Sequence, residues 1–245
     1  MMRLFILLIL TFVLGAGFTA RAQISCTVDT VRFGVISEEA GEKKVTVYVR
    51  NDSDTPLSLN RVRPTCGCTA ADYYKETFEP GDSAWIELTY DPSMRPGRFE
   101  KGVKVHPSKG EMIRIPIAGV VAAKPETVEQ MFPSEGGLIR LTERTVMTLQ
   151  PLASSERSLF IDVYNYNDSP VYTLVTDNSE AVETQVFPPV IPPYEKATIG
   201  IYIIPGREER SGKLEYTLNL HTSFTPDGLS DAPSVELKAF AEKNY

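Results

Sequence analysis

The sequence predicts an all-β protein built as two antiparallel β-sandwiches in tandem, and three observations support this. Short stretches alternate apolar and polar residues, as in Val45, Val47 and Val49 with polar residues between them, which is typical of strands with one buried face. Turn-forming pairs such as Pro80-Gly81 and Pro96-Gly97 separate these stretches. The same order of features then recurs along the chain, which indicates two copies of one module.

Residues 1–22 are predicted to be a cleaved secretory signal peptide. A short basic start precedes an apolar run and a small-x-small cleavage site at Ala20-Arg21-Ala22. The apolar run is shorter than the roughly 20 residues that a membrane-spanning helix needs. A lipid-modified Cys26 is an alternative, but Gln23-Ile24-Ser25 lacks the expected leucine. We therefore expect a periplasmic, cell-surface or secreted protein without a transmembrane segment in the mature chain.

Charge and length limit the partners and the domain count. The chain has 25 basic and 32 acidic residues, and removal of Arg3 and Arg21 with the signal peptide leaves 23 basic residues and a net charge of −9. An acidic surface repels phosphate backbones, so nucleic acid is not expected as a partner. The remaining length suits two domains of about 110 residues each, which we place at residues 24–122 and 126–245.

The single tryptophan lies on a predicted strand of the first module. Apolar Ala84, Ile86 and Leu88 alternate with Trp85, so the tryptophan falls on the polar face. One interpretation is that a loop or the neighbouring domain covers it. The other is that Trp85 is exposed and binds a partner.

Two of the three cysteines lie between predicted strands, in the stretch from Arg63 to Ala70. Its surroundings resemble a bacterial secreted family of unknown function that carries a Cys-Gly-Cys-Thr signature on an immunoglobulin-like module similar to the Hydin type. The resemblance covers about residues 28–121 and implies an immunoglobulin-like fold with no established activity. It rests on Phe33-Gly34-Val35-Ile36, Asn51, Pro64-Thr65-Cys66-Gly67-Cys68-Thr69, Pro80-Gly81, Pro96-Gly97-Arg98-Phe99 and Ile117-Ala118-Gly119-Val120.

The second module lacks the cysteines. A constant offset of about 116 matches Asn51 to Asn167 and places Val182 and Thr184 at the positions of Cys66 and Cys68. The fold is therefore predicted to form without the cysteine pair, which favours a local role for the pair in the first module.

No pattern of catalytic residues is present in the sequence. A Gly-x-Ser-x-Gly elbow, a His-Glu-x-x-His motif and a phosphate-binding glycine loop are all missing, and the chain has only two histidines. Glu38-Glu39 and Glu208-Glu209 are interpreted as solvated turns rather than paired catalytic carboxylates. We therefore predict a protein that is not an enzyme and has no cofactor.

Two hypotheses for function follow. The first is an exported, non-catalytic binding or structural module that contacts an unidentified cell-envelope protein. The second is a thiol site, in which Cys66 and Cys68, with or without Cys26, exchange disulfides or bind a soft metal such as Cu(I). The second would require nearby cations to stabilise a thiolate, and Met94 and Met112 as further ligands for the metal.

The pairing of the three cysteines stays open at this stage. Three cysteines cannot all pair within one chain, so the alternatives are Cys66 with Cys68, Cys26 with one of them, or reduced thiols. A bridge across one residue closes a small strained ring, and Gly67 is expected to relieve part of that strain by adopting unusual dihedrals. We expect Cys66 and Cys68 to lie close together on a partly exposed loop or edge.

Overall fold

The first part of the chain forms two four-stranded sheets. The computed structural model describes residues 23–147, 158–177, 179–204 and 212–243, so the predicted signal peptide and Glu208-Glu209 lie outside the described residues. Sheet A has the strand order β1-β3-β6-β5 and sheet B the order β2-β8-β7-β4. The strands are β1 (Ile24–Cys26), β2 (Val31–Ser37), β3 (Lys43–Asn51), β4 (Leu59–Pro64), β5 (Thr69–Tyr73), β6 (Ser83–Tyr90), β7 (Gly97–Pro107) and β8 (Ile113–Ala122).

The second part forms two five-stranded sheets. Sheet C has the order β14-β16-β12-β10-β9 and sheet D the order β11-β18-β17-β13-β15. The strands are β9 (Ser134–Gly136), β10 (Ile139–Leu141), β11 (Thr145–Met147), β12 (Ser158–Tyr164), β13 (Val171–Asp177), β14 (Val182–Phe187), β15 (Val190–Ile191), β16 (Lys196–Ile203), β17 (Gly212–Ser223) and β18 (Ser234–Lys243).

Each pair of sheets encloses its own core, which confirms the predicted fold class. The first cluster of buried apolar side chains draws on residues from Ile24 to Val121, and the second on residues from Ile139 to Ala241. The described strands pair antiparallel except for two parallel pairs, β2 with β8 and β11 with β18. The domain boundaries at 122 and 126 stay a prediction.

A short helix, α1 (Pro125–Met131), begins between the two predicted domains and extends into residues assigned to the second, and the sequence did not predict it. Pro125 fits the first turn, where a backbone N–H has no intrahelical partner. Val128 and the following Phe132 pack against Tyr164 of β12. Seven residues are too few to show a helical period. Within the described ranges, no helix combines the length and apolar character needed to cross a membrane.

The two sandwiches share a buried asparagine, but at a different offset from the predicted one. Asn51 is the last residue of β3, and Asn165 directly follows Tyr164, the last residue of β12; both are fully buried. Each side-chain amide donates to backbone carbonyls that close the following loop. Asn165, and not the predicted Asn167, is therefore equivalent to Asn51. A slip of two residues leaves every side chain on the same face of a strand, so alternation alone does not reveal it.

The equivalents of the two cysteines shift in the same way. The carbonyl of Cys68 accepts a 2.9 Å hydrogen bond from Asp91, and the carbonyl of Ala181 accepts one of 2.8 Å from Ile204, just after the matching strand β16. Cys68 is thus equivalent to Ala181 and, two residues earlier, Cys66 to Ser179. The predicted matches, Val182 and Thr184, were wrong.

Candidate functional site

The Cys66-Gly67-Cys68 turn lies where the chain crosses from sheet B to sheet A. A disulfide joins Cys66 and Cys68, whose Cα atoms are 5.3 Å apart. On the sheet B side, the N–H of Thr65 donates to the Gly102 carbonyl at 2.8 Å, and Gly102 N–H donates back to the Thr65 hydroxyl at 3.1 Å. The bond to Asp91 holds the other side. The turn is therefore fixed to both sheets.

The two sulfurs differ in exposure. Cys68 is 6% exposed and belongs to the core, whereas Cys66 is half-buried and packs against the edge of that core. The hydroxyl of Thr69 lies 3.5 Å from the sulfur of Cys66 and 3.9 Å from that of Cys68. Since a disulfide has no proton to donate, Thr69 is the donor to the sulfurs. Of the two sulfurs, that of Cys66 is the accessible one.

Gly67 does not play the predicted role. Its φ lies outside the left-handed region, and a Cβ atom built there would meet nothing within 4 Å. The turn therefore does not need glycine at this position, either for its backbone angles or for space.

The second sandwich forms the equivalent turn without sulfur. Ser179 N–H donates to the Asp177 carboxylate at 3.1 Å, and Ala181 N–H donates to the Ser179 hydroxyl at 3.1 Å. These local side-chain to backbone bonds fix a turn much as a covalent bridge does. A disulfide is thus one of two ways in which this chain holds the same crossing.

Cys26 lies far from the pair. It is unpaired and half-buried, on strand β1 at the edge of sheet A opposite β5. Three strand spacings of about 4.8 Å separate the two edges, and the register places Cys26 level with Ala84 and Thr69 level with Tyr90. A disulfide needs Cα atoms within about 7 Å. The predicted alternative in which Cys26 joins the site is therefore wrong.

A cleft of about 510 Å³ opens beside the disulfide, between the two sandwiches. The rings of Tyr90 and Phe99, stacked with centroids 3.9 Å apart, line one part of it. The other lining side chains are mostly cationic or contain sulfur: Cys66, Cys68, Met94, Arg95, Arg98, Lys101 and Lys196.

Two of these cations are neutralised by neighbours. Arg98 forms a two-point ion pair with Glu195 of the second sandwich, at 2.6 and 3.0 Å, and Arg95 pairs with Asp91 at 3.0 Å. Hydrogen bonds from Ser93, together with Arg95, lower the pKa of Asp91.

The two lysines of the cleft have no such partner. Neither Lys101 nor Lys196 has a carboxylate within ion-pair distance in the described part of the chain. Desolvation lowers the pKa of Lys196, whose stem packs over Gly97, 3.1 Å from a Cβ built there. Lys101 and Lys196 line the same cleft as both sulfurs, so their charge is available to stabilise a thiolate there.

The fold brings one of the two predicted methionines to the site. Met94 lines the cleft. Met112 precedes Ile113 of β8, which pairs with Val105 near the end of β7, whereas the cleft residues Arg98 and Phe99 lie at the start of that strand. Among the described residues, no group of three or more His, Cys, Asp or Glu side chains is placed to hold a metal ion. The identity of a metal, which the sequence left unknown, stays unassigned.

Trp85 lies on the outer face of sheet A, directly across from Tyr48. Their strands, β6 and β3, are the two central strands of that sheet. Tyr48 is 49% exposed and Trp85 is half-buried. Trp85 is not among the side chains that pack against the core, so the pair forms an aromatic patch in the middle of a rigid surface.

The interpretation of Glu38 as part of a solvated turn was wrong. Rather than being solvated, Glu38 is 7% exposed. Its carboxylate accepts hydrogen bonds from Met94 N–H at 2.8 Å, Lys124 N–H at 3.0 Å and the Thr127 hydroxyl at 2.7 Å. Met94 lies in the loop before β7, Lys124 directly precedes α1, and Thr127 lies within α1. Glu38 is thus a structural anchor, and neighbours distant in sequence supply the contacts that bury it.

Together, the fold and these sites define an all-β protein of two immunoglobulin-like sandwiches, the first with a disulfide-fixed crossing turn. Residues 24–121, the first sandwich, match the family DUF1573, described as a protein of unknown function. This match confirms the predicted resemblance to a family of unknown function. That the family carries a Cys-Gly-Cys-Thr signature stays a prediction. A search of curated proteins found no match.

Several solved structures are distantly similar. A protein of unknown function from Porphyromonas gingivalis W83 is 15% identical with a TM-score of 0.39, over 90% of this chain and 100% of that one. The secreted serine protease VesC from Vibrio cholerae is 14% identical with a TM-score of 0.39, over 92% and 47%. The Pseudomonas aeruginosa CupB2 chaperone is 12% identical with a TM-score of 0.30, over 82% and 100%. These values are too low to transfer a function.

Proposed function

We propose that the chain is an exported, non-catalytic module that binds a protein of the cell envelope through the outer face of sheet A. The observation that carries this proposal is the Tyr48–Trp85 pair at the centre of that face. Tryptophan and tyrosine dominate the energetics of protein interfaces because they bury a large area at small entropic cost. Export rests on the predicted signal peptide, and the absence of catalysis rests on the sequence motifs.

The surroundings of the pair suit an interface. On the same face, Lys44 pairs with Glu87 at 2.8 Å and Arg50 with Asp52 at 3.4 Å. Apolar anchors inside a rim of mutually neutralised charges are the usual anatomy of a protein-binding patch. Since the pair sits on the central strands, the patch is held rigid before a partner arrives, which reduces the entropic cost of binding.

Crosslinking capture from the native cell envelope tests the proposal. The mature chain is compared with a Tyr48→Ser, Trp85→Ser variant and with a control, Phe160→Ser, Tyr202→Ser, which removes an exposed aromatic pair from the second sandwich. We expect the first variant to lose about 2 kcal/mol of binding, about thirtyfold in Kd, and the control to retain its partner. Equal recovery with all three proteins, or no partner at all, would overturn the proposal.

A second candidate function is thiol–disulfide exchange at Cys66. The observation that favours it is the cleft, which is lined by both sulfurs and by Lys101 and Lys196. An incoming thiolate would attack the sulfur of Cys66 and form a mixed disulfide with it, while the Cys66–Cys68 bond breaks and Cys68 leaves as a thiolate that then takes up a proton. Nearby cations stabilise thiolates and so promote such a step.

Reduction kinetics with glutathione decide this candidate. The mature protein is compared with a peptide of residues 63–70 and with a Lys101→Ser, Lys196→Ser variant. Exchange faster than in the peptide, slowed by the double substitution, would support the function. A protein disulfide that reacts no faster than the peptide would rule it out.

A further inference from the structure

The outer face of sheet B carries an unusual concentration of positive charge. Val62 of β4, Val105 of β7 and Ile115 of β8 are buried, which shows which side of each strand faces the core. The residues that alternate with them along each strand therefore point outward. Among the outward-facing strand residues that the structure describes in sheet B, Glu100 is the one carboxylate. The exposed cations on these positions are Arg32, Arg61, Arg63, Arg98, Lys104 and Arg114, of which Arg98 is paired with Glu195.

Three of these cations stand directly opposite one another. Arg63 of β4 is in register with Lys104 of β7, and Lys104 is in register with Arg114 of β8. Side chains in register on neighbouring strands have Cβ atoms about 5 Å apart, and like charges at that separation destabilise a sheet. We call these three residues the cationic ladder. Repulsion among the three cations lowers the stability of the sheet, and the fold itself does not require them.

No carboxylate forms an ion pair with the three ladder cations in the part of the chain that the structure describes. The ion pairs found there involve Lys44, Arg50, Lys75 and other cations, but none of the three ladder residues. The ladder is therefore available to an external anion.

One ladder side chain is pre-positioned by a glycine. A Cβ atom built on Gly102 would lie 2.5 Å from Nε and 3.2 Å from Cζ of Arg114. The Arg114 side chain thus lies flat across the backbone of β7, in space that any other residue at 102 would fill. A guanidinium held in this way presents its fork of donors to a carboxylate with little further loss of freedom.

We infer that the cationic ladder is a docking surface for an acidic protein segment rich in Asp and Glu. The surface is a flat sheet rather than a pocket, so its ligand must be extended and carry repeated negative charges. Charge also limits the size of the ligand, because residues 123–245 contain 18 acidic and 10 basic residues, a net charge of −8. An anionic membrane or a nucleic acid would also approach this acidic half, whereas a short acidic segment can stay on the ladder.

This surface is independent of the proposed function. It lies on sheet B, on the opposite side of the first sandwich from Tyr48 and Trp85 on sheet A. Either surface can therefore fail in experiment without the other.

Binding of the mature chain to an oligoglutamate peptide tests the inference. The ladder variant is Arg63→Ser, Lys104→Ser, Arg114→Ser, and the control is Lys43→Ser, Lys44→Ser, Lys75→Ser, which changes the net charge equally on the other side of the sandwich. We expect salt-sensitive binding that the ladder variant weakens at least about tenfold. The control and the Tyr48→Ser, Trp85→Ser variant should bind like the wild type.

Three results would overturn the inference. The first is no binding of the peptide at low salt, and the second is equal weakening by the ladder and control variants. The third is ladder-dependent binding to phosphatidylglycerol vesicles or single-stranded DNA that is tighter than binding to the peptide. Gly102→Ala provides a charge-neutral check, since it should weaken binding by displacing Arg114 alone.

Discussion

The hydroxyl of Thr127 in α1 donates a 2.7 Å hydrogen bond to the buried carboxylate of Glu38, which lies just after β2. Through this bond the helix between the sandwiches is attached to the first one. Tyr164 makes the corresponding contact from the second sandwich, since its hydroxyl donates to the Val121 carbonyl at 3.3 Å and accepts from Ala123 N–H at 3.0 Å. The junction is therefore held by specific polar bonds as well as by packing.

Stability should fall in acid because of Glu38. Burial raises the pKa of this carboxyl, but hydrogen bonds from Met94, Thr127 and Lys124 outweigh that effect and lower it below the ordinary glutamate value of 4.5. The stabilisation is complete above the ordinary value and is lost as pH falls through the lowered folded pKa. As pH falls below about 4.5, the free energy of unfolding measured in urea should decrease more steeply for the wild type than for Glu38→Gln. Parallel curves would contradict this assignment.

Tyr164→Phe should destabilise the junction. Removing the hydroxyl leaves the half-buried N–H of Ala123 without its partner, which costs about 1 kcal/mol. Desolvation raises the pKa of Tyr164 to about 12, so the hydroxyl stays protonated at neutral pH. Tyr166→Phe, at an exposed position, is the matched control. Equal thermal unfolding of the two variants would show that the hydroxyl contributes nothing.

The disulfide should contribute modestly to stability. Closing a loop of three residues restricts the unfolded chain by only about 1.6 kcal/mol in the chain-entropy relation. A Cys66→Ala, Cys68→Ala variant should therefore fold and lose about 1–2 kcal/mol in urea unfolding. Thiol counting on the oxidised wild type should find one free cysteine, Cys26. A variant that does not fold, or three free thiols, would contradict this account.

Two glycines should respond differently to alanine. Gly97 has φ +94°, and a Cβ there would lie 3.1 Å from Cε of Lys196, so Gly97→Ala should cost at least about 1–2 kcal/mol. Gly67 has neither constraint, so Gly67→Ala should stay within about 0.5 kcal/mol of the wild type. Thermal unfolding of both variants checks the contrast, and a larger loss at Gly67 would reverse our view of the turn.

The sequence was sufficient for the fold class because strands with one buried face leave a period-two pattern at positions such as Val45, Val47 and Val49. It did not set the register of the two modules, because the slip from Asn165 to Asn167 preserves that pattern. It also missed the burial of Glu38, because Met94, Lys124 and Thr127 are brought together only by the tertiary fold.

In the candidate sites, too, local features could be predicted from the sequence, whereas features that depend on the tertiary fold could not. The closeness of Cys66 and Cys68 follows from a separation of two residues, whereas the position of Cys26 depends on the strand order β1-β3-β6-β5. The cationic ladder could not be predicted from the sequence, because Arg63, Lys104 and Arg114 lie on three strands whose register is known only from the structure.

The central claim is that Trp85 lies within the interface with a protein partner, and the chain's single tryptophan allows a direct test. The mature protein labelled with fluorotryptophan should give one ¹⁹F resonance, which is titrated with the partner recovered by crosslinking. Our account predicts a shift of this resonance at saturation and its protection from a water-soluble quencher or paramagnetic agent. An unchanged resonance with undiminished solvent access, while the partner is demonstrably bound, would contradict it.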